Sequence, residues 1–208
     1  MSKFLDGFKF GIMLQVAVGP VCFFVFQISV LNGIIPALLG TLGVTLIDGF
    51  YILLAILGIG KIIEKHKNAE KILKYFGSLV LITFGLYIFL STLNNSSFVS
   101  HNTTPILKFN PFISTCLLTI SNPLTIIFWT GVFATKTTRE NMNFKELTLF
   151  GIGSVISTFV FLSLISIAGD FTKTFISNSL IMLLNILIGL LLIFFGIKPY
   201  IKLKRLKV

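Results

Sequence analysis

The stretch FGIMLQVAVGPVCFFVFQISVLNGIIPALLGTLGVTLID (10–48) runs from the residue after Lys9 to the next charged side chain, Asp48, and its length decides the fold class. A helix needs about 20 apolar residues to cross the hydrocarbon core of a bilayer. This stretch holds two such lengths, divided by the turn signal Leu31-Asn32-Gly33 into Phe10 to Val30 and Ile34 onward. Because no water reaches the bilayer interior, a spanning segment must pair its own backbone groups, as a helix or as part of a closed barrel. Long unbroken apolar runs decide for helices.

Outward from this stretch the pattern repeats. Further uncharged runs are Tyr75 to Leu107, whose apolar part ends at about Leu93, then Phe109 to Thr135, Leu147 to Gly169 and Thr174 to Ile197. Six transmembrane helices are predicted, an all-α polytopic membrane protein. A mean hydropathy of +0.98, with 55% hydrophobic and 12% charged residues, excludes a soluble domain, which could not bury so much apolar surface.

The net charge of +10 would point to nucleic acid in a soluble chain, but here its distribution says more than its sum. Assigned by alternation, one side of the membrane receives 15 of the 17 basic residues, and the other only Lys108 and Lys173. By the positive-inside rule the basic side is cytoplasmic, which puts both termini there. No nucleic-acid partner is expected. The first run carries Gly19-Pro20 in its middle and lacks a clear small-x-small cleavage site, so it reads as a retained helix rather than a signal peptide.

The helices divide into halves, 1–93 and 111–208, joined by the polar outer loop 94–110 within a single membrane domain. Three helices per half is an odd number, so a duplicated unit would enter the membrane the second time from the opposite side, giving a 3+3 inverted repeat. Gly19-Pro20 in helix 1 and Asn122-Pro123 in helix 4 are the paired features that carry this reading, and TFGLYIF (83–89) is similar to FFGIKPY (194–200). A mid-helix proline removes an N–H and releases the carbonyl four residues earlier, here those of Val16 and Thr119. In repeated transporters such breaks gather near the midplane, where half-helix N-termini attract carboxylates and freed carbonyls hold cations.

Asp48 is the single ionisable residue deep inside any of the six runs. A charge at that depth costs several kcal/mol and marks an ion or substrate path. No intramembrane Lys or Arg is available to pair with it, so it is protonated when dry, or ionised beside water or a cationic ligand. Thr41, Thr45, Asp48 and Tyr51 share one helix face. Ser154, Ser157 and Thr158 on helix 5, Gly11, Gln15, Gly19 and Cys22 on helix 1, and Thr115, Thr119 and Asn122 on helix 4 are equivalently spaced. The expected substrate or coupling site is therefore Asp48 with Gln15, Gly19, Pro20, Thr45, Asn122, Pro123 and Ser154. The same small residues serve equally well in plain helix packing or in joining protomers of a homo-oligomer.

Cys22 and Cys116 lie in membrane runs without a C-x-x-C pair, and His66 and His101 sit in loops on opposite sides, so no metal site and no cofactor is implied. The two cysteines leave open a transmembrane thiol-disulfide carrier; a metal-ion exporter is disfavoured by the lack of His, Cys and carboxylate clusters in the helices. KIIEKHKNAEKILKY (61–75) reads as an amphipathic helix on the membrane surface. Nothing suggests a covalent catalyst or a nucleotide-binding loop, so the chain is not expected to be an enzyme.

The order of features over residues 10–60, namely Gly19-Pro20, Gly33, Gly40 and Gly43, Asp48 and Gly58, resembles the amino-terminal half of LysE-type amino-acid exporters. LTISNPLTIIFWTGVFATK (118–136) is similar to that family's Asn-Pro helix. The resemblance implies ion-coupled export of amino acids or related small metabolites from a bacterial cytoplasmic membrane. Val18 and Val21 around Gly19-Pro20, Ile47 before Asp48 and Leu124 after Asn122-Pro123 depart from residues common in the family, which leaves the substrate open.

Overall fold

The computed structural model describes residues 2–17, 20–58, 67–94, 110–175 and 177–205. Among them are eight helices and no strand: α1 Ser2–Ala17, α2 Pro20–Asn32, α3 Ile34–Ile56, α4 Lys67–Asn94, α5 Pro111–Ile120, α6 Pro123–Thr138, α7 Phe144–Thr172 and α8 Asn178–Arg205. Three stretches are long and apolar enough to cross a membrane, namely α3, α7 and Ser179–Ile197 of α8; Val21–Asn32, Gly77–Leu90 and Pro111–Ile120 are shorter apolar helices.

The helix boundaries follow local chemistry. Gly33 takes φ 87°, a left-handed conformation that any Cβ would strain, and this lets α2 turn directly into α3. Asn110 caps α5 by accepting from the Phe112 N–H at 2.9 Å, with Pro111 at the first helical position, where its missing N–H is harmless. A capping box starts α7, Asn143 and Glu146 exchanging side-chain to backbone bonds of 3.0 Å each.

The fourth run is interrupted at Asn122-Pro123 as expected, α5 ending at Ile120 and Pro123 opening α6; in the first run α2 begins at Pro20, and residues 18 and 19 before it lie outside the described part. A proline at the first helical position loses no hydrogen bond, so a full break is cheaper than a kink. One expectation needs correction: the amphipathic segment 61–75 is not a separate surface helix. From Lys67 onward it forms the first turns of α4, whose axis runs on through Gly77 into the apolar part that follows; residues 61–66 lie outside the described part.

Each helix is inverted relative to a soluble one. On α3, Leu39, Leu42, Leu46, Phe50 and Leu53 face outward, while Gly40, Thr41, Gly43, Val44, Asp48 and Tyr51 are buried. Lipid offers no hydrophobic drive for helices to associate, so small and polar residues hold the seams. α1 runs alongside α7 in the same direction, pairing Gly7 with Phe150 and Gly11 with Ser154 and Ser157. Likewise α5 runs alongside α3, with Thr115 against Gly40 and Gly43. α3 and α7 cross in opposite directions, as do α4 and α8, where Gly85 meets Gly189 and Gly196 meets Ser78.

The α4–α8 crossing tests this packing. A Cβ at Gly85 would stand 2.7 Å from the Gly189 carbonyl oxygen, and no side-chain rotation relieves a clash with backbone. Gly85→Val should lower stability by about 1–3 kcal/mol. Gly131→Ala, at a helical position open on all sides, should gain about 0.5–1 kcal/mol. Thermal unfolding of the two purified variants in detergent measures the contrast; equal melting temperatures would show that the Gly85–Gly189 contact is not tight.

Candidate functional site

Asp48 sits at the middle of α3, where this helix crosses α7, and only 5% of it is exposed. Its Oδ2 receives the Thr158 hydroxyl at 3.3 Å and faces the Gln15 side-chain amide at 3.5 Å. Gln15 Nε2 donates to Thr158 Oγ1 at 2.7 Å, so the three side chains form one triangle linking α1, α3 and α7. Trp129 of α6, 1% exposed, lies beside the same carboxylate. Among the described residues no basic side chain pairs with Asp48; the ion pairs Lys136–Glu140 and Lys173–Asp170 lie near helix ends, each at 2.6 Å. The carboxylate is thus held by neutral donors without a counter-charge.

Both proline-bearing runs reach this region. Gln15 is on α1, in the run that continues to Pro20. At the Asn122-Pro123 break, Tyr51, one turn beyond Asp48 on α3, donates its hydroxyl to the Ile120 carbonyl at 3.0 Å. The carbonyl left for the rest of the protein is therefore that of Ile120. Thr119, which the position of Pro123 singled out, has its carbonyl occupied by the Asn122 N–H at 3.2 Å. The Ser121 hydroxyl between the two helices is buried and has no hydrogen-bond partner among the described residues. The C-terminus of α5, with its partial negative charge, accordingly ends on the carbonyl that Tyr51 holds one turn from Asp48, and α6 starts two residues after Ser121.

The expected site residues are distributed as follows. Gln15 and Asp48 are in direct contact. Thr45 is half-buried, and its hydroxyl serves the Thr41 carbonyl of its own helix. Ser154 is one turn before Thr158, where its hydroxyl donates to the carbonyls of Gly7 at 3.1 Å and Phe150 at 3.0 Å within the α1–α7 seam. Asn122 occupies the gap between α5 and α6, its carbonyl accepting from the Thr125 N–H at 3.1 Å. Pro20 and Pro123 open α2 and α6; Gly19 lies outside the described residues. Thr158 and Tyr51 stood on the predicted polar faces but not in the expected site. Trp129 gave no polar signal at all, although it is the only tryptophan in an otherwise phenylalanine-rich chain.

Farther along the α3–α7 seam toward Gly33, Thr41 Oγ1 and Ser166 Oγ approach to 3.3 Å, and Ser29 donates to the Ser166 carbonyl. Glycine contacts tighten this end: a Cβ at Gly169 would stand 2.7 Å from the Ser29 Cβ. Cys22 packs against Val25, Val44 and Leu162, and Cys116 donates its thiol to the Gly43 carbonyl at 3.5 Å; both are free thiols lying against different apolar clusters.

The triangle makes a stability prediction. Thr158→Val removes the acceptor of Gln15 and a donor to Asp48 while keeping the shape, and should cost about 1–3 kcal/mol, whereas Thr158→Ser should stay within about 0.5–1 kcal/mol of the parent. Detergent melting curves decide it, and a valine variant as stable as the serine one would argue against the hydroxyl's bridging role.

Comparison with known proteins adds three findings. The family described as LysE type translocator matches residues 12–202. The chain is 26% identical over 198 residues, 94% of either protein, to the Bacillus subtilis (strain 168) protein named "Putative amino acid efflux protein YcgF". No solved structure matches. A match over nearly its whole length, together with several apolar helices built around a buried polar seam, means that this multi-pass membrane protein belongs to the LysE-type translocator family.

Proposed function

We propose that the chain exports amino acids or related small metabolites across the cytoplasmic membrane of a bacterium by proton- or ion-coupled secondary transport. The observation that carries this reading is Asp48: an acidic side chain in the membrane interior, ringed by Gln15, Thr158 and Trp129, with no basic partner among the described residues. Such a carboxylate accommodates either a proton or a substrate ammonium group, and one excludes the other. That exclusivity is the chemical basis of exchange. The C-terminal end of α5 reinforces its pull on a cation. A substrate carboxylate would find the Ser121 hydroxyl and the N-terminus of α6 at the Asn122-Pro123 break. The name of the Bacillus subtilis relative agrees with an amino acid as cargo.

In this reading α1 with α2 and α5 with α6 are broken spans, so that with α3, α4, α7 and α8 the chain crosses six times, both ends cytoplasmic. The halves 1–93 and 111–208 form an inverted repeat that rocks about the fixed site. Matched packing supports it. α1 lies on α7 as α5 lies on α3, each pair running in one direction, and the self-matched pairs α3–α7 and α4–α8 run in opposite directions. A two-fold axis in the membrane plane produces that set of relations.

Efflux of amino acids from cells expressing the parent and Asp48→Asn is the direct test. Asparagine preserves size and hydrogen bonding but not charge, so efflux is expected to fall to background, about tenfold or more; undiminished efflux in the variant would exclude Asp48 from coupling. For topology, alkaline phosphatase joined after Ser100 should be active and the same enzyme joined at the C-terminus inactive, and the reverse pattern would invert the orientation.

A further inference from the structure

We infer that the substrate carries a single positive charge, its ammonium group, on an apolar or aromatic side chain, and that lysine and arginine are excluded. The inference rests on the export reading above and concerns the same site. The acidic residues of this chain are Asp6, Asp48, Glu64, Glu70, Glu140, Glu146 and Asp170, and Asp48 alone falls within a membrane run. Once a ligand ammonium occupies Asp48, no second carboxylate remains at that depth for a side-chain cation. An unpaired cation in the membrane interior is strongly disfavoured.

The surroundings of Asp48 have the matching chemistry. Ile47, Tyr51, Ile126, Trp129 and Phe133 form one dry cluster, none more than 8% exposed. Within it five rings from α1, α6 and α7 close a circuit. Phe10 stacks on Phe128 with centroids 6.2 Å apart, Phe128 meets Trp129 edge-on at 5.6 Å, and Trp129 meets Phe133 at 6.2 Å. Phe133 meets Phe150 at 5.7 Å, and Phe150 returns to Phe10 at 5.6 Å. Trp129 belongs both to this circuit and to the shell of Asp48, so a ligand held by its ammonium on the carboxylate lays its carbon chain against the rings.

The far edge of the circuit carries a cation already. Lys136 Nζ lies 5.0 Å from the centroid of the Phe150 ring, where the negative ring face attracts it, and it also pairs with Glu140 at 2.6 Å. A second positive charge on the ligand would meet a ring face in use and a lysine of its own sign, whereas methylene groups or an aromatic ring would meet neither penalty.

Trp129 is the only tryptophan in the chain, which makes its fluorescence a built-in reporter of the site. The test compares norleucine with lysine, which share a linear four-carbon side chain and differ in the terminal ammonium, and phenylalanine with arginine, by titrating the purified full-length protein while reading Trp129 emission. The same four amino acids are then followed in counterflow from proteoliposomes. Norleucine and phenylalanine should half-saturate the emission change at concentrations about tenfold or more below lysine and arginine, and they alone should exchange. The Asp48→Asn protein should respond to none. Lysine or arginine binding or exchanging as well as norleucine would overturn the inference and leave amino-acid export standing. Movement and binding of none of the four would overturn both.

Discussion

In a bilayer every backbone carbonyl has to find a donor inside the protein, and Pro123 places a helix end where the surrounding lipid supplies none. The rest of the structure is arranged around that constraint. At this break the Asn122 N–H takes the Thr119 carbonyl and the Tyr51 hydroxyl takes the Ile120 carbonyl. Because Tyr51 stands one turn from Asp48, satisfying the break also fixes α3 and its carboxylate relative to α5. The backbone problem and the charge problem are thus solved on one helix, with the same neighbours.

The seams that deliver those neighbours are built from residues with little or no side chain. Gly7, Gly11 and Gly153 let α1 and α7 approach until side-chain hydroxyls reach the facing backbone, as Ser154 does with the Gly7 carbonyl. Gly40 and Gly43 do the same for α5, bringing Thr115 to the Gly40 carbonyl at 2.8 Å. Close packing and hydrogen bonding reinforce each other here, since a hydroxyl bonds across a helix pair only when no larger side chain holds the backbones apart. The aromatic circuit packs differently, through bulky rings and fewer hydrogen bonds. Asp48 therefore lies where a tight polar seam on the α3–α7 side meets a buried cluster of aromatic rings on the α6 side.

Much of this was legible in the chain itself. Bilayer thickness converts apolar length into spans with no reference to tertiary structure, Asn122-Pro123 marks a break, and a lone carboxylate among apolar residues announces itself. Legibility ended where local rules stop. The segment 61–75 looked like a separate surface helix because its periodicity is amphipathic, yet periodicity does not say whether the next apolar stretch continues the same axis, and from Lys67 it does. Trp129 was lost among many large apolar residues, because a tryptophan's polar N–H has no signature until its neighbour is known.

By itself the sequence determined the all-helical membrane class, the break at Asn122-Pro123 and the acidic residue that is buried, all of them set by length, proline chemistry and the cost of ionisation in lipid. Only the tertiary structure decided that Asp48 meets Thr158, 110 positions away, and Gln15, 33 away, with Trp129 beside them. The physical reason is that helical periodicity fixes which residues share a face but not which other helix that face meets. The meeting is chosen by where glycines and serines allow two backbones to come close.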